Sequence, residues 1–231
     1  MEECRVERER RDVSGFSRVE LGGTGALNVE LGSEERLSIE ADPEIMGRVT
    51  SEVRDGVLRL GLAKGSWLRS LKCDGIVFDV TMKDISGLTL SGAGTINARK
   101  LAAGRLELKV SGTGRVSIDE LEASELDVIL SGECKCQIEG RCESQEVTLS
   151  GAGTYDARKL ASYRAKIVLS GAGDVLVNAS DTLDAAISGA GDVVCYGEAT
   201  VFRRVTGAGR ITCVREGEDA PCNGQEKEGG S

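Results

Sequence analysis

Three cysteines that lie close together in the sequence have a spacing that could hold a metal ion. Cys134, Cys136 and Cys142 form a Cys-x-Cys-x5-Cys pattern, and thiolates are good ligands for zinc and for iron–sulfur clusters. A complete site needs a fourth ligand, and the chain contains no histidine. We therefore predict no metal and no cofactor, and name these three residues as a candidate metal site that lacks a ligand. A redox pair and plain buried thiols are the competing interpretations.

The lack of histidine also restricts catalysis. Ser-His and Cys-His nucleophiles need an imidazole base, so they are excluded. Carboxylate pairs of the glycosidase kind remain, but Asp156, Asp174 and Asp192 form at most a short acidic stripe. Three Phe, three Tyr and one Trp are few for a groove that stacks against sugars or bases. We predict that the chain is not an enzyme.

Charge and hydropathy narrow the range of partners. The chain has 29 Lys and Arg against 38 Asp and Glu, a net charge of −9, which disfavours a nucleic-acid partner. Its opening residues, MEECRVERERRD, are mostly charged, and no long apolar run follows them. The sequence thus predicts no signal peptide and no membrane span in this chain.

A repeat of 18 to 20 residues dominates the sequence. Its marker is a Ser or Thr before a Gly-x-Gly corner, at Ser91, Ser111, Ser131, Ser150, Ser170, Ser188 and Thr206. The corner glycines are Gly92, Gly94, Gly112, Gly114, Gly132, Gly151, Gly153, Gly171, Gly173, Gly189, Gly191, Gly207 and Gly209. Because no copy has the third glycine of a phosphate-binding GxGxxG loop, we predict that these corners are structural.

Apolar residues keep the same register as the corners. Around Ser150, for example, Val147, Leu149, Tyr155 and Ala157 alternate with polar residues. Such runs, with a period of two, predict strands that have one buried face and one wet face. The short period predicts an all-β, right-handed parallel β-solenoid with 18–20-residue coils, stacked about 4.8 Å apart. A sharp corner repeated in register leaves little room for side chains and favours positive φ, and both demands select glycine.

Two further cysteines fall on one inward position of adjacent coils. Cys195 and Cys213 each lie seven residues after a marker, which places their Cα atoms about 5 Å apart, within disulfide range. They are predicted either to form a disulfide or to stack as small apolar side chains.

The rest of the chain divides into segments. Residues 1–12 are a charged N-terminal segment, 13–85 an irregular β N-terminal half continuous with the solenoid, 86–214 the solenoid of seven SGxG coils, and 215–231 a disordered acidic tail. Residues 23–25 are interpreted as an eighth, degenerate corner and residues 43–47 as one helical turn. Trp67, Leu68 and Leu71 lie in an insertion that is expected to cover an open end or flank.

Parts of the chain resemble a known family. The stretch from 169 to 211, LSGAGDVLVNASDTLDAAISGAGDVVCYGEATVFRRVTGAGRI, is similar to the C-terminal coils of the DUF2807 proteins, known as putative auto-transporter adhesins with a head GIN domain. RDVSGFSRVELGGTGALNVELG and LSIEADPEIMGRVTSEVRDGVLRLGL, near the N-terminus, resemble their N-terminal half. The resemblance implies an all-β stack of strands, a bacterial or archaeal envelope setting and no catalytic residue.

The functional hypothesis combines this resemblance with the missing catalytic groups. We predict a non-catalytic β-solenoid module of the cell envelope or extracellular space, adhesin-like or scaffold, with an unidentified surface ligand (protein or glycan) and scope for homo-oligomers. A cytoplasmic structural solenoid that associates end to end is the alternative, since this chain carries no export signal. A carbohydrate-active enzyme on the outer solenoid face is a third hypothesis.

Overall fold

The computed structural model describes residues 6–63, 75–215, 218–221 and 225–226. The strands in these residues are β1 Glu7–Arg11, β2 Arg18–Leu31, β3 Arg36–Ala41, β4 Val49–Arg54, β5 Val57–Leu62, β6 Val77–Met82, β7 Gly87–Val110, β8 Thr113–Leu130, β9 Glu133–Leu149, β10 Thr154–Leu169, β11 Asp174–Ile187, β12 Val193–Tyr196, β13 Thr200–Val205, β14 Ile211–Arg215, β15 Glu218–Pro221 and β16 Gln225–Glu226. One short helix, α1 Pro43–Met46, accompanies them. Within the described residues, no helix has the length and apolar character needed to cross a membrane. The predicted all-β class is confirmed.

The long strands stack as a parallel solenoid. From β7 to β11, each strand pairs in parallel with the next one along the chain. Backbone amides at the corners show the register directly, because Ser150 N donates to Leu130 O and Ser170 N to Leu149 O, both at 2.9 Å. The predicted parallel β-solenoid is confirmed, with about six turns. Its right-handed sense stays a prediction.

Each coil bends three times and so has three faces. Besides the Gly-x-Gly corner, the alternation of buried and exposed side chains slips where two adjacent residues both point outward, as at Arg99 and Lys100 and again at Gly104 and Arg105. We define the first face as the segment after the Gly-x-Gly corner, the second face as the short segment that follows, and the third face as the segment that leads into the next corner. In β8 these segments are 115–119, 121–123 and 125–130.

Apolar side chains from all three faces fill the interior. Leu130, Leu149 and Leu169 form the ladder expected from the repeat, with neighbours in register and every side chain fully buried. Thr148 lies on the same strand but points outward. Because full burial of a leucine contributes about 1.5–3 kcal/mol, ladders of this kind hold the coils together.

The N-terminal half joins the solenoid through β2. This strand pairs in parallel with β7 and sets Gly23 beside Gly92 and Gly25 beside Gly94, as expected for a degenerate corner. The expected helical turn is α1, where Asp42 accepts a hydrogen bond from Glu44 N at 2.8 Å. Strands β1 and β4 were not predicted. They form antiparallel pairs with β3 and β5, and β1 offers no apolar pattern because all five of its residues are charged.

The two ends of the sheet differ from the coils between them. The charged strand β1 forms the N-terminal edge, and charges on an edge strand oppose pairing with another sheet. At the other end, β15 pairs antiparallel with β14, and β16 pairs with β13. These short strands lie within residues 215–231, for which disorder stays a prediction. The insertion with Trp67, Leu68 and Leu71 lies outside the described residues.

Candidate functional surface

The corner glycines are required by the close stacking of successive coils. A Cβ atom built at Gly132 would lie 1.9 Å from the carbonyl oxygen of Gly112, and one at Gly151 would lie 2.1 Å from that of Gly132. Close-packed backbone leaves no way to absorb such a contact. The expected positive φ is wrong for these corners and occurs instead at Gly23 and Gly25 of the degenerate corner. Space, and not backbone conformation, selects glycine at the Gly-x-Gly corners of the regular coils.

The structure does not assemble a metal site from Cys134, Cys136 and Cys142. All three are buried free thiols, and they enter the interior from different segments of one coil. Among the described residues, no three His, Cys, Asp or Glu side chains come together as metal ligands. Burial raises the pKa of the Cys136 thiol, and it raises the pKa of Cys142 to about 12. The thiolate form that a metal requires is therefore disfavoured at these residues.

Cys195 and Cys213 are register neighbours but are not bonded to each other. They pair directly between β12 and β14, and both are buried. Cys195 is a free thiol, whereas Cys213 is disulfide-bonded. A disulfide between the two is therefore the wrong alternative. Strand register brings two residues together but does not decide the covalent state of their sulfur atoms.

A chain of hydrogen bonds runs through the interior of adjacent coils. Tyr155 Oη donates to Gln145 Oε1 at 3.1 Å, and Gln145 Nε2 donates to Ser162 Oγ at 2.9 Å. Ser162 Oγ in turn donates to Asn178 O at 2.5 Å. The three side chains are at most 5% exposed. This network was not predicted. The sequence did contain a signal for it, since Gln145 stands in the inward register position that Leu126 fills one coil earlier.

Tyr155→Phe should destabilise the fold by about 1–3 kcal/mol. Burial raises the pKa of the Tyr155 hydroxyl well above its ordinary value, so this group is a neutral donor, and its removal leaves Gln145 Oε1 buried without a partner. Urea unfolding of both proteins measures the difference. Tyr163→Phe is the matched control, because Tyr163 is 55% exposed and its change should stay within about 0.5 kcal/mol. Equal stability of the two variants would contradict a stabilising role for the network.

The third face carries a shallow cavity of about 570 Å³ that extends from Arg105 in β7 to Phe202 in β13. Its walls carry ion pairs between coils, with Arg105 at 2.5 Å from Asp127 and Lys166 at 2.7 Å from Glu146. Arg164 is exposed in the same cavity. We call this cavity the third-face groove. Its mixture of charged groups and hydroxyls suits a polar ligand.

The three residues of the acidic stripe, Asp156, Asp174 and Asp192, accept hydrogen bonds from nearby groups of the same chain. Arg158 Nη2 donates to Asp156 Oδ2 at 2.6 Å, Asp192 N donates to Asp174 Oδ1 at 3.4 Å, and Arg210 N donates to Asp192 Oδ1 at 2.9 Å. Six of the described carboxyl groups have a pKa that departs clearly from the ordinary value, and in each the pKa is lowered by a neighbouring cation or by backbone amides. They are Glu34, Glu35, Glu107, Glu122, Glu139 and Asp156. A general acid in a glycosidase needs a raised pKa, so these six groups do not suit that role.

Three solved structures share this fold. A putative adhesin from Bacteroides fragilis is 23% identical with a TM-score of 0.86, over 91% of this chain and 97% of its own. A putative adhesin from Parabacteroides merdae is 20% identical with a TM-score of 0.68, over 92% of this chain and 97% of its own. A putative lipid binding protein from Parabacteroides distasonis is 18% identical with a TM-score of 0.70, over 90% of this chain and 96% of its own. At these identities the likeness establishes the fold alone.

Sequence comparison leads to a family. No curated protein matches the chain. The family profile described as "Putative auto-transporter adhesin, head GIN domain" matches residues 15–199, a range that begins before β2 and ends just before β13. The match confirms the resemblance seen in the repeat, and the chain belongs to the DUF2807 family.

Proposed function

We propose that this chain is a non-catalytic, adhesin-like module of the cell envelope or the extracellular space. The observation that carries the proposal is the register of the coils, which sets equivalent outward side chains in straight columns, about 4.8 Å apart. Such an array offers repeated contacts to an extended surface ligand, a protein or a glycan. The family description and the adhesin names of two structural neighbours support the same role.

The third-face groove is the proposed contact surface. Arg164 stands in register between Ser144 and Thr182 of the adjacent coils, and its guanidinium lies 5.9 Å from the ring centroid of Tyr163. A guanidinium flanked by hydroxyl-bearing residues suits a carboxylate or sulfate group. Ligands that carry such groups, as acidic glycans and acidic protein segments do, are therefore the expected class.

Attachment under flow tests the proposal. Beads coated with the chain should be retained on at least one surface from a panel of acidic glycans and matrix proteins, and Arg164→Ala should reduce retention about tenfold. Arg141→Ala removes another exposed arginine, from the second face, and should leave retention unchanged. Failure of the wild type on every surface would contradict the adhesin role, and equal loss in both variants would contradict the groove. Release of reducing ends from the same glycans would contradict the non-catalytic assignment.

The location is a separate part of the proposal. End-to-end association, as in the cytoplasmic alternative, needs sheet edges that pair readily, and the charged strand β1 opposes this. Fractionation of native cells should place the chain with the envelope or the medium. Recovery in the cytoplasmic fraction alone would contradict the proposed location.

A further inference from the structure

The first and third faces differ in where their charges lie. The centre column of the first face consists of Asn97, Ser117, Gln137, Asp156, Leu176 and Val194, in register on successive coils. The centre column of the third face consists of Glu107, Asp127, Glu146, Lys166, Asp184 and Phe202. Five of these six residues are charged on the third face, against one on the first face. The first face therefore has a nearly uncharged middle.

Opposite charges flank this middle column in β8. Arg115 lies two residues before Ser117 and Asp119 lies two residues after it, and all three point outward. Ser117 Oγ donates to Asp119 Oδ1 at 3.4 Å, which places the centre and the margin on one surface. Arg115 and Asp119 are about 13 Å apart along the extended strand, too far to pair within one molecule.

The next coil repeats the arrangement in β9. Lys135 and Glu139 flank Gln137, and Gln137 Nε2 donates to Glu139 Oε1 at 3.0 Å. Glu139 also pairs with Lys159 at 3.0 Å. Lys135 stands directly beside Arg115 in the register, so one margin is positive over two coils and the other margin is negative over the same two coils.

We propose that the first face binds a second copy of this chain around a two-fold axis that runs along the solenoid. This rotation lays each coil against the same coil of the other copy with the strand direction reversed, which makes the interface self-complementary. Arg115 then faces Asp119 of the partner subunit, and Lys135 faces Glu139 of the partner subunit. An uncharged centre with complementary charges at the rim is the usual anatomy of a protein interface.

The centre column is compatible with self-contact. Leu176 and Val194 are half-buried outward side chains. In the dimer each of them would pack against the same residue of the other copy. Asp156 is the one charged member, and its pairing with Arg158 at 2.6 Å makes that coil locally neutral. On the third face, the same rotation would set Asp127 and Glu146 against their own copies. Repulsion between like charges therefore excludes that face for this kind of pairing.

The size of the first face predicts a reversible dimer. With β2 and β14 included, eight strands stack on this face, a length of about 38 Å, and five residues give a width of about 16 Å. The contact would bury about 600 Å² per copy, or about 1,200 Å² in total, at the lower end of specific interfaces. Association in the micromolar range is the expected result.

Sedimentation equilibrium between about 1 and 200 μM tests the dimer. The mass should rise from 24.3 kDa towards twice that value. Arg115→Asp alone and Asp119→Arg alone should each weaken association at least about tenfold, whereas the swapped double variant should recover wild-type association to within about threefold. Arg141→Asp, at an exposed arginine on the second face, makes the same charge change as Arg115→Asp and should have no effect on association.

The charge swap separates this interface from general charge effects. The two single variants move the net charge in opposite directions, so a common weakening cannot come from net charge. A constant mass of 24.3 kDa at every concentration would overturn the proposal. The proposal would also be overturned if the single variants associated as strongly as the wild type. The same holds if the double variant did not recover wild-type association. Circular dichroism of each variant verifies that the exposed substitutions leave the fold intact.

Discussion

Gly132→Ala should abolish the stable solenoid or lower its free energy of unfolding by at least about 4 kcal/mol. The added Cβ would lie 1.9 Å from Gly112 O, a separation that two non-bonded atoms cannot adopt. The backbone has little freedom to retreat, because Ser131 N donates to Val110 O below it and Ser150 N donates to Leu130 O above it, both at 2.9 Å. Far-UV circular dichroism and urea unfolding measure the loss.

Gly104→Ala is the matched control for this prediction. Gly104 lies at a bend of β7, where a new Cβ meets no atom within 4 Å and φ is not positive. Alanine there should change stability by less than about 1 kcal/mol, with a small gain from the lower entropy of the unfolded chain. Similar losses in both variants would mean that glycine content, and not the stacking of corners, limits the fold.

The solenoid was predictable because every coil repeats the same spatial demands. Ser150 and Gly151 follow an inward leucine, and the same order recurs at Ser131 and Gly132. An assignment of strand register that was wrong for one coil would therefore conflict with the pattern of every other coil. The reason for the corner glycines was only half predictable, since the crowding follows from stacking but φ depends on details of the bend that the spacing does not contain.

Features that occur once were harder to predict. The contact between Tyr155 and Gln145 joins two coils through the interior, so it depends on which bends bring the first and third faces together. Strand β1 has no apolar residue to reveal it, because it pairs at an edge where its side chains remain largely in water.

The proposed surfaces were invisible in the sequence for a related reason. Outward residues change type from coil to coil, and their meaning depends on which of them share a face. Arg115 and Asp119 are ordinary surface charges until the register shows that they flank a centre column in which five of six residues are uncharged. The third-face groove likewise needs the bend near Arg105, which the period-two pattern marks only as two consecutive exposed residues.

Leu149→Ala should lower the free energy of unfolding by about 2–5 kcal/mol. Leu149 is fully buried between Leu130 and Leu169, and the stacked coils cannot collapse into the space that its side chain leaves. Thr148→Ala, one residue earlier and outward, should change stability by no more than about 0.5 kcal/mol. Urea unfolding of both variants under the same conditions supplies the comparison.

The pair also tests the assignment of the faces, because a slip of one residue in a strand exchanges its inner and outer side chains. If Thr148→Ala were the more damaging change, Leu149 would be the exposed residue of the third face. Glu146 and the rest of the third-face groove would then point inward, and the contrast between the two centre columns would disappear. The attachment surface and the dimer surface therefore both depend on Leu149 being the residue whose truncation destabilises the coil.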